Sequence, residues 1–175
     1  EGWERKYTKA RYSLIGGGLA EPSLCDDEFW GVAEQCLNEF VGKLRLLGLD
    51  AHILGLHLDR GEWFQASNVG YDISPAAIDK FREWLRVRYR DDIVALRASW
   101  FDGQAQFHGI PIPDFRRAAG TGQEFVRTGR KQRPWVDYHL FLSDATVERI
   151  GKLAYSAKKA SEGWFLVGAS YGYTF

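Results

Sequence analysis

The chain has 175 residues, 45% of them hydrophobic and 26% charged, contents ordinary for one soluble globular domain. Its 23 basic and 23 acidic side chains cancel, which excludes a global field favouring nucleic acid, an anionic membrane or an acidic substrate. No apolar run is long enough to cross a bilayer and the first residues carry no signal-peptide pattern. A cytoplasmic location, with neither membrane nor nucleic acid as partner, is therefore expected.

Aromatic residues make up 15%, with 7 Trp, 8 Tyr and 11 Phe. Such side chains serve equally as stacking platforms in sugar clefts and as fillers of a packed core. The chain begins at Glu1 and contains no Met, where roughly two per hundred residues are usual. Either it is a processed piece, or modified methionines are missing from the written sequence.

In chain order, Tyr12–Ile15 reads as a short strand ended by Gly16, Gly17 and Gly18. The glycines lack the Lys-Ser/Thr of a phosphate loop and are expected to form a turn. Ser23 then suits an N-cap, with Asp26 and Asp27 in the first turn, where the helix dipole favours acids. Phe29, Ala33, Cys36, Leu37, Phe40, Val41 and Leu44 recur at helical spacing, and Gly48 closes the helix. Cys25 and Cys36 fall in this predicted helix about 16 Å apart, too far to bridge, and read as buried, reduced side chains.

Ile53–Leu58 reads as a buried strand that delivers Glu62 between Gly61 and Trp63. Acids and bases of α/β barrels sit just beyond such strand ends. Ser74-Pro75 starts the next helix, whose predicted buried stripe is Ile78, Phe81, Leu85 and Tyr89. Arg82, Arg86, Arg88 and Arg90 alternate with Asp79, Glu83, Asp91 and Asp92, the pattern of a solvated face rather than of a nucleic-acid patch. Asp92 to Trp100 continues as a short helix. Residues 101–134 carry few structural signals and read as a long loop insertion overhanging one end of the fold. Pro134-Trp135 opens a last helix, burying Tyr138, Phe141, Leu142, Ile150, Leu153 and Ala157, and Trp164–Tyr171 is the next strand. Strands alternating with helices predict parallel pairing and an α/β fold. So few strands do not close a barrel, so a single domain over 1–175 that is part of one is expected.

Glycoside hydrolysis uses two carboxylates, and its acid needs a raised pKa. Glu62 beside Trp63 and Phe64 suits that acid through desolvation, although a loop glutamate in a salt bridge has the same sequence signature. Other acids in reach are Asp59, Asp72, Asp137 and Asp144. Asp72 is expected to cap the turn before Ser74-Pro75, and Asp144 to bond a backbone amide in or near its helix. His57 suits either a sugar hydroxyl or a satisfied core position. No second His or Cys stands at metal-ligand spacing to it, so no metal or other cofactor is expected. Gly168–Gly172 lacks the pattern of a nucleophile elbow.

Several runs together resemble one family. They are Pro22-Ser23 through His57–Phe64, Tyr71–Pro75, Phe81–Leu85 with Tyr89, Ala98–Trp100, Trp135–Tyr138 to Ser143-Asp144, and Tyr171–Tyr173. This ordered set resembles the catalytic region of β-galactosidase-like glycoside hydrolases with a (β/α)8 TIM barrel, of the family-42 type in clan A. The resemblance covers most of the chain. It implies that the chain spans roughly strands 3 to 5 with their helices, and that Glu62 ends the fourth strand as acid/base of a retaining mechanism. It also implies that the nucleophile, a second glutamate near the seventh strand, lies beyond Phe175. The family's usual Asn before the acid is Gly61 here, a departure that bears on substrate choice.

The expected function is thus cleavage of a glycosidic bond, with a carbohydrate as substrate and His57, Trp63, Tyr171 and Tyr173 lining the sugar pocket. The alternative is a non-catalytic carbohydrate-binding or structural domain derived from such a barrel. The remainder of a longer chain, or a homo-oligomer, is the expected protein partner.

Overall fold

The computed structural model describes residues 23–58, 72, 74–110 and 132–170. Helix α1 spans Asp27–Leu46. Its N-cap is Asp26, whose carboxylate accepts the amide of Phe29 at 3.0 Å, rather than the expected Ser23. Ser23 is unavailable for capping because its hydroxyl is already engaged with Asp72, Ser74 and the amide of Cys25. At the other end the sequence reading holds. Gly48 takes φ +66°, its amide reaches Arg45 and that of Leu49 reaches Leu44, the paired bonds of a Schellman ending. The buried face of α1 runs through Trp30 and Val41, with Phe29, Ala33 and Leu37 packed beside Trp30, whereas Phe40 is half exposed. Cys25 precedes the helix and is buried, while Cys36 points to solvent, so the two cysteines share neither helix nor face.

A single 3-10 turn, Asp50–His52, leads into strand β1, Gly55–Leu58, two residues shorter than the expected strand. Helix α2, Pro75–Tyr89, starts as the sequence predicts, with the Ser74 hydroxyl accepting the amide of Ala77 and proline in the first turn. Its fully buried positions are Ala77, Phe81 and Leu85, while Ile78 and Tyr89 are half-buried. Arg90 and Asp91 turn the chain with φ of 52° and 57°. Asp92 then caps a separate helix, α3, over Ile93–Trp100. Helix α4, Arg133–Ala160, has 28 residues, about 42 Å at the helical rise, and strand β2 is Leu166–Ala169.

The strands pair in parallel, with Gly55, Leu56, His57 and Leu58 opposite Leu166, Val167, Gly168 and Ala169. The fold is therefore α/β with a parallel sheet. Among the described residues the sheet has two strands, and no barrel is formed.

Helix α4 is long enough to hold two cores together. Its N-terminal half joins α2 and α3 through Phe81, Leu85, Leu96, Trp100, Tyr138, Phe141 and Leu142. Phe81 meets Tyr138 edge-on at 4.8 Å and Phe141 at 5.4 Å. Each such large side chain contributes roughly 1.5–3 kcal/mol by leaving water. Ala105, Phe107 and Ile110 belong to the same cluster, so the start of the expected overhanging insertion is packed into the core. Its later part, 111–131, lies outside the described residues. The C-terminal half of α4 buries Leu153 against Leu24 and Trp30, with Leu58 of β1 packed on them.

Candidate functional site

Side chains alternate across a strand, and this alternation assigns the two faces of the sheet. Leu58 faces the α1–α4 layer, as its packing against Leu153 and Trp30 requires. Leu56, Val167 and Ala169 share its side, while Gly55, His57, Leu166 and Gly168 lie on the other. That second face is open among the described residues, where His57, Leu166 and Gly168 are exposed. The expected buried strand is thus half-buried, because among the described residues helices cover it on one side only.

His57 lies over Gly168. A Cβ at position 168 would stand 3.3 Å from the imidazole Cδ2, so the glycine leaves the ring its place. Gly55 allows a closer approach still, since a Cβ there would meet the Leu166 carbonyl oxygen at 2.2 Å. Of the residues expected to line a sugar pocket, His57 is the one described, and it stands on the open face. Glu62, Trp63, Tyr171 and Tyr173 lie outside the described residues, as does Asp59. By sequence Glu62 follows Leu58 by four positions and Tyr171 follows Ala169 by two. Leu58 and Ala169 are register partners, so both segments leave the same end of the parallel pair.

Beside that end, a buried polar knot ties the starts of α1 and α2 together. The Ser23 hydroxyl donates to Asp72 Oδ2 at 2.5 Å, and the Ser74 hydroxyl donates to Ser23 Oγ at 2.9 Å. The Ser74 amide donates to Asp72 Oδ1 at 3.0 Å, and the Tyr138 hydroxyl donates to the Asp72 carbonyl. Asp72 therefore caps the turn before Ser74-Pro75, as the sequence predicts. Burial, and next the Asp72 charge, push the Cys25 thiol up to about 12, leaving it an inert core group. Burial likewise raises Tyr138. Arg149, itself buried, donates to the Leu24 carbonyl at 2.6 Å and pairs with Asp27. Burial acts to raise the Asp27 carboxyl, but hydrogen bonds from Lys80 and Arg149 outweigh it and hold the group at about 2.

Of the other candidate acids, Asp137 and Asp144 are committed elsewhere. Asp137 is wholly buried. Its Oδ2 accepts from the Tyr89 hydroxyl at 2.6 Å and the Trp100 indole at 2.7 Å. Its Oδ1 faces the Nε atoms of Arg88 and Arg133 at 3.3 and 3.2 Å, as charge contacts without hydrogen-bond alignment. A carboxylate so enclosed holds α2, α3 and α4 together and is closed to a substrate. Asp144 accepts the Trp84 indole at 2.7 Å rather than a backbone amide. It sits within α4, where the amides are already bonded along the helix. The sequence reading missed Asp137 as a hub, although Tyr89, Trp100 and Asp137 all stand in the runs that carry the family resemblance.

Among the described residues, no three His, Cys, Asp or Glu side chains gather as a metal site, and no helix is long and apolar enough to cross a membrane. Comparison of the chain with protein-family models, with curated proteins and with solved structures found no match.

Proposed function

We propose that this chain is part of a β-galactosidase-like glycoside hydrolase barrel with Glu62 as its general acid/base. In this reading Glu62 protonates the leaving glycosidic oxygen while a carboxylate from outside the chain attacks the anomeric carbon. Glu62 then removes a proton from the water that releases the sugar, so configuration is retained. His57, Trp63, Tyr171 and Tyr173 line the sugar. The observation that carries the reading is the register of β1 and β2. It sends the segments bearing Glu62 and Tyr171–Tyr173 off the same end of a parallel sheet, where α/β folds keep their ligands. The ordered sequence resemblance supports it independently.

A second reading, a carbohydrate-binding or structural domain without catalysis, has its own support. Asp72, Asp137 and Asp144 all accept hydrogen bonds within the fold, which leaves none of the three poised as a nucleophile.

The test is galactoside binding, followed by saturation-transfer NMR, together with hydrolysis of a panel of nitrophenyl glycosides by the chain and by Glu62→Gln. Binding without turnover is expected of the chain alone. Turnover that Glu62→Gln abolishes is expected once the missing strands are supplied by a longer or partner chain. Full turnover in Glu62→Gln would sink the acid/base assignment, and a folded chain that binds no glycoside would sink both carbohydrate readings and leave a structural domain.

A further inference from the structure

Away from the sheet, the α2–α3 turn and the segment after α3 border an open groove of about 370 Å³. That is within the range of small-molecule sites, roughly 300–1,000 Å³. Its polar lining is dominated by arginine. Arg97, on the last turn of α3, donates its Nε to the Ala105 carbonyl at 3.0 Å. This bond fixes the guanidinium from its inner side. No further bond within the described residues holds its two terminal amino groups. Arg86, on the last turn of α2, rests its guanidinium 5.8 Å from the centre of the Phe107 ring. Its nearest acid, Asp91, is 3.7 Å away, a charge contact longer than a hydrogen bond. His108 and Gln106 complete the polar wall, and Ile93 with Phe107 supplies an apolar one.

Two guanidiniums against one carboxylate leave a net positive charge in a concave site. Arg97 is positioned by a backbone carbonyl, and Arg86 by an aromatic ring together with its charge contact to Asp91. A fork held in place loses little freedom when it binds, and its geometry matches the paired oxygens of a carboxylate or phosphate. We infer that this groove binds a small organic oxyanion, a phosphomonoester or a carboxylate carried on a compact body that packs against Phe107 and Ile93. Arg97 is the bidentate anchor and Arg86 the second cation. The site stands apart from the His57 face and does not depend on how that face is used.

The test is titration of the full chain with glucose 6-phosphate, glucuronate, inorganic phosphate and neutral glucose, read by the arginine Nε–Hε NMR signals and by calorimetry. Saturable binding of one or both organic anions is expected, with glucose inert. Phosphate alone separates a phosphate preference from a carboxylate one. Arg97→Gln should weaken binding at least tenfold and Arg86→Gln less. Arg97→Lys, which keeps the charge but loses the fork, should fall between wild type and Arg97→Gln. Arg90→Gln, an exposed arginine of the same turn outside the groove, should change nothing. Wild-type chain with native circular dichroism that binds neither anion would overturn the site. So would Arg97→Gln binding as tightly as wild type, or an equal loss in Arg90→Gln, which would reduce the effect to diffuse surface charge.

Discussion

Replacing Asp137 by alanine is the sharpest probe of how the helices are held. The substitution removes the acceptor of the buried Trp100 indole and of the Tyr89 hydroxyl, and the counter-ion of Arg88 and Arg133. The four losses are unequal. Tyr89 also lies 2.9 Å from Ser99 Oγ and can turn its proton there. The two guanidiniums are 34% and 36% exposed, so water replaces much of what the carboxylate gave them. The indole has no such outlet, and an orphaned buried donor costs about 1–3 kcal/mol. Adding a part-screened ion pair gives an expected loss of about 2–4 kcal/mol, a drop in melting temperature on the order of 10 °C for a domain of this size. Asp137→Asn keeps one acceptor for the indole and should cost about half as much. Urea unfolding followed by circular dichroism measures both. Trp100→Phe in the Asp137→Ala background should recover part of the loss, because the orphan is gone. A loss below about 1 kcal/mol in Asp137→Ala would refute the reasoning, since it would mean that the indole finds another partner.

Gly55→Ala should weaken β1–β2 pairing by roughly 1–3 kcal/mol, because its Cβ meets a carbonyl oxygen that cannot move aside. Wild-type stability in that variant, by the same urea titration, would refute the close approach. Asp27 gives the acid limb of stability its shape. Its folded pKa, about 2, lies below its ordinary 3.8, so its contribution is full above pH 4 and is lost as the pH falls towards 2. Asp27→Asn should flatten the fall in urea midpoint between pH 4 and 2, and an unchanged slope would show that Lys80 and Arg149 do not stabilise the charge.

The sequence was most informative where one local rule decided the outcome. Ser74-Pro75 starts α2 and Gly48 ends α1 because capping and a positive φ are properties of a few adjacent residues. The parallel pairing of β1 and β2 followed from the alternation of elements, and the role of Asp72 from its spacing to Ser74. The reading failed where a distant partner intervened. Ser23 has an N-cap signature, yet Asp72, 49 positions away, takes its hydroxyl, and the cap passes to Asp26. Cys36 fits the apolar period of α1 and still faces solvent, since what covers a helix depends on where α4 lies. Asp137 looked like any helical acid, because nothing local shows that Tyr89, Trp100 and two arginines converge on it. The sequence puts His57 in a strand but assigns it to no face, because a short apolar run does not tell how many layers cover a strand.

That open face links the fold to the proposed chemistry. Parallel strands are ordinarily covered on both sides. Here helices cover the side of Leu56 and Leu58, while the other side carries His57 over Gly168 with Leu166 exposed. A groove of about 500 Å³ continues this exposure at the start of the strands, lined by Ala51, His52, Ile53, Leu54, Trp164 and Leu166, with Leu54 79% and Trp164 67% exposed. The two ends of the sheet therefore differ in kind. The groove end exposes Leu54, Trp164 and Leu166 beside His52, with Arg45 paired to Asp50 and Glu162 on the segments that enter the strands. The opposite end carries the polar knot of Ser23, Asp72 and Ser74 and sends off the segments bearing Glu62 and Tyr171. In the proposed barrel these are the stability end and the catalytic end, and His57 looks inward between them. A carbohydrate reading that placed the sugar at the Trp164 groove would have its aromatic platform but no carboxylate within the lining. In the proposed reading the sugar sits at the Leu58–Ala169 end, from which the segments bearing Glu62 and Tyr171 leave the paired strands.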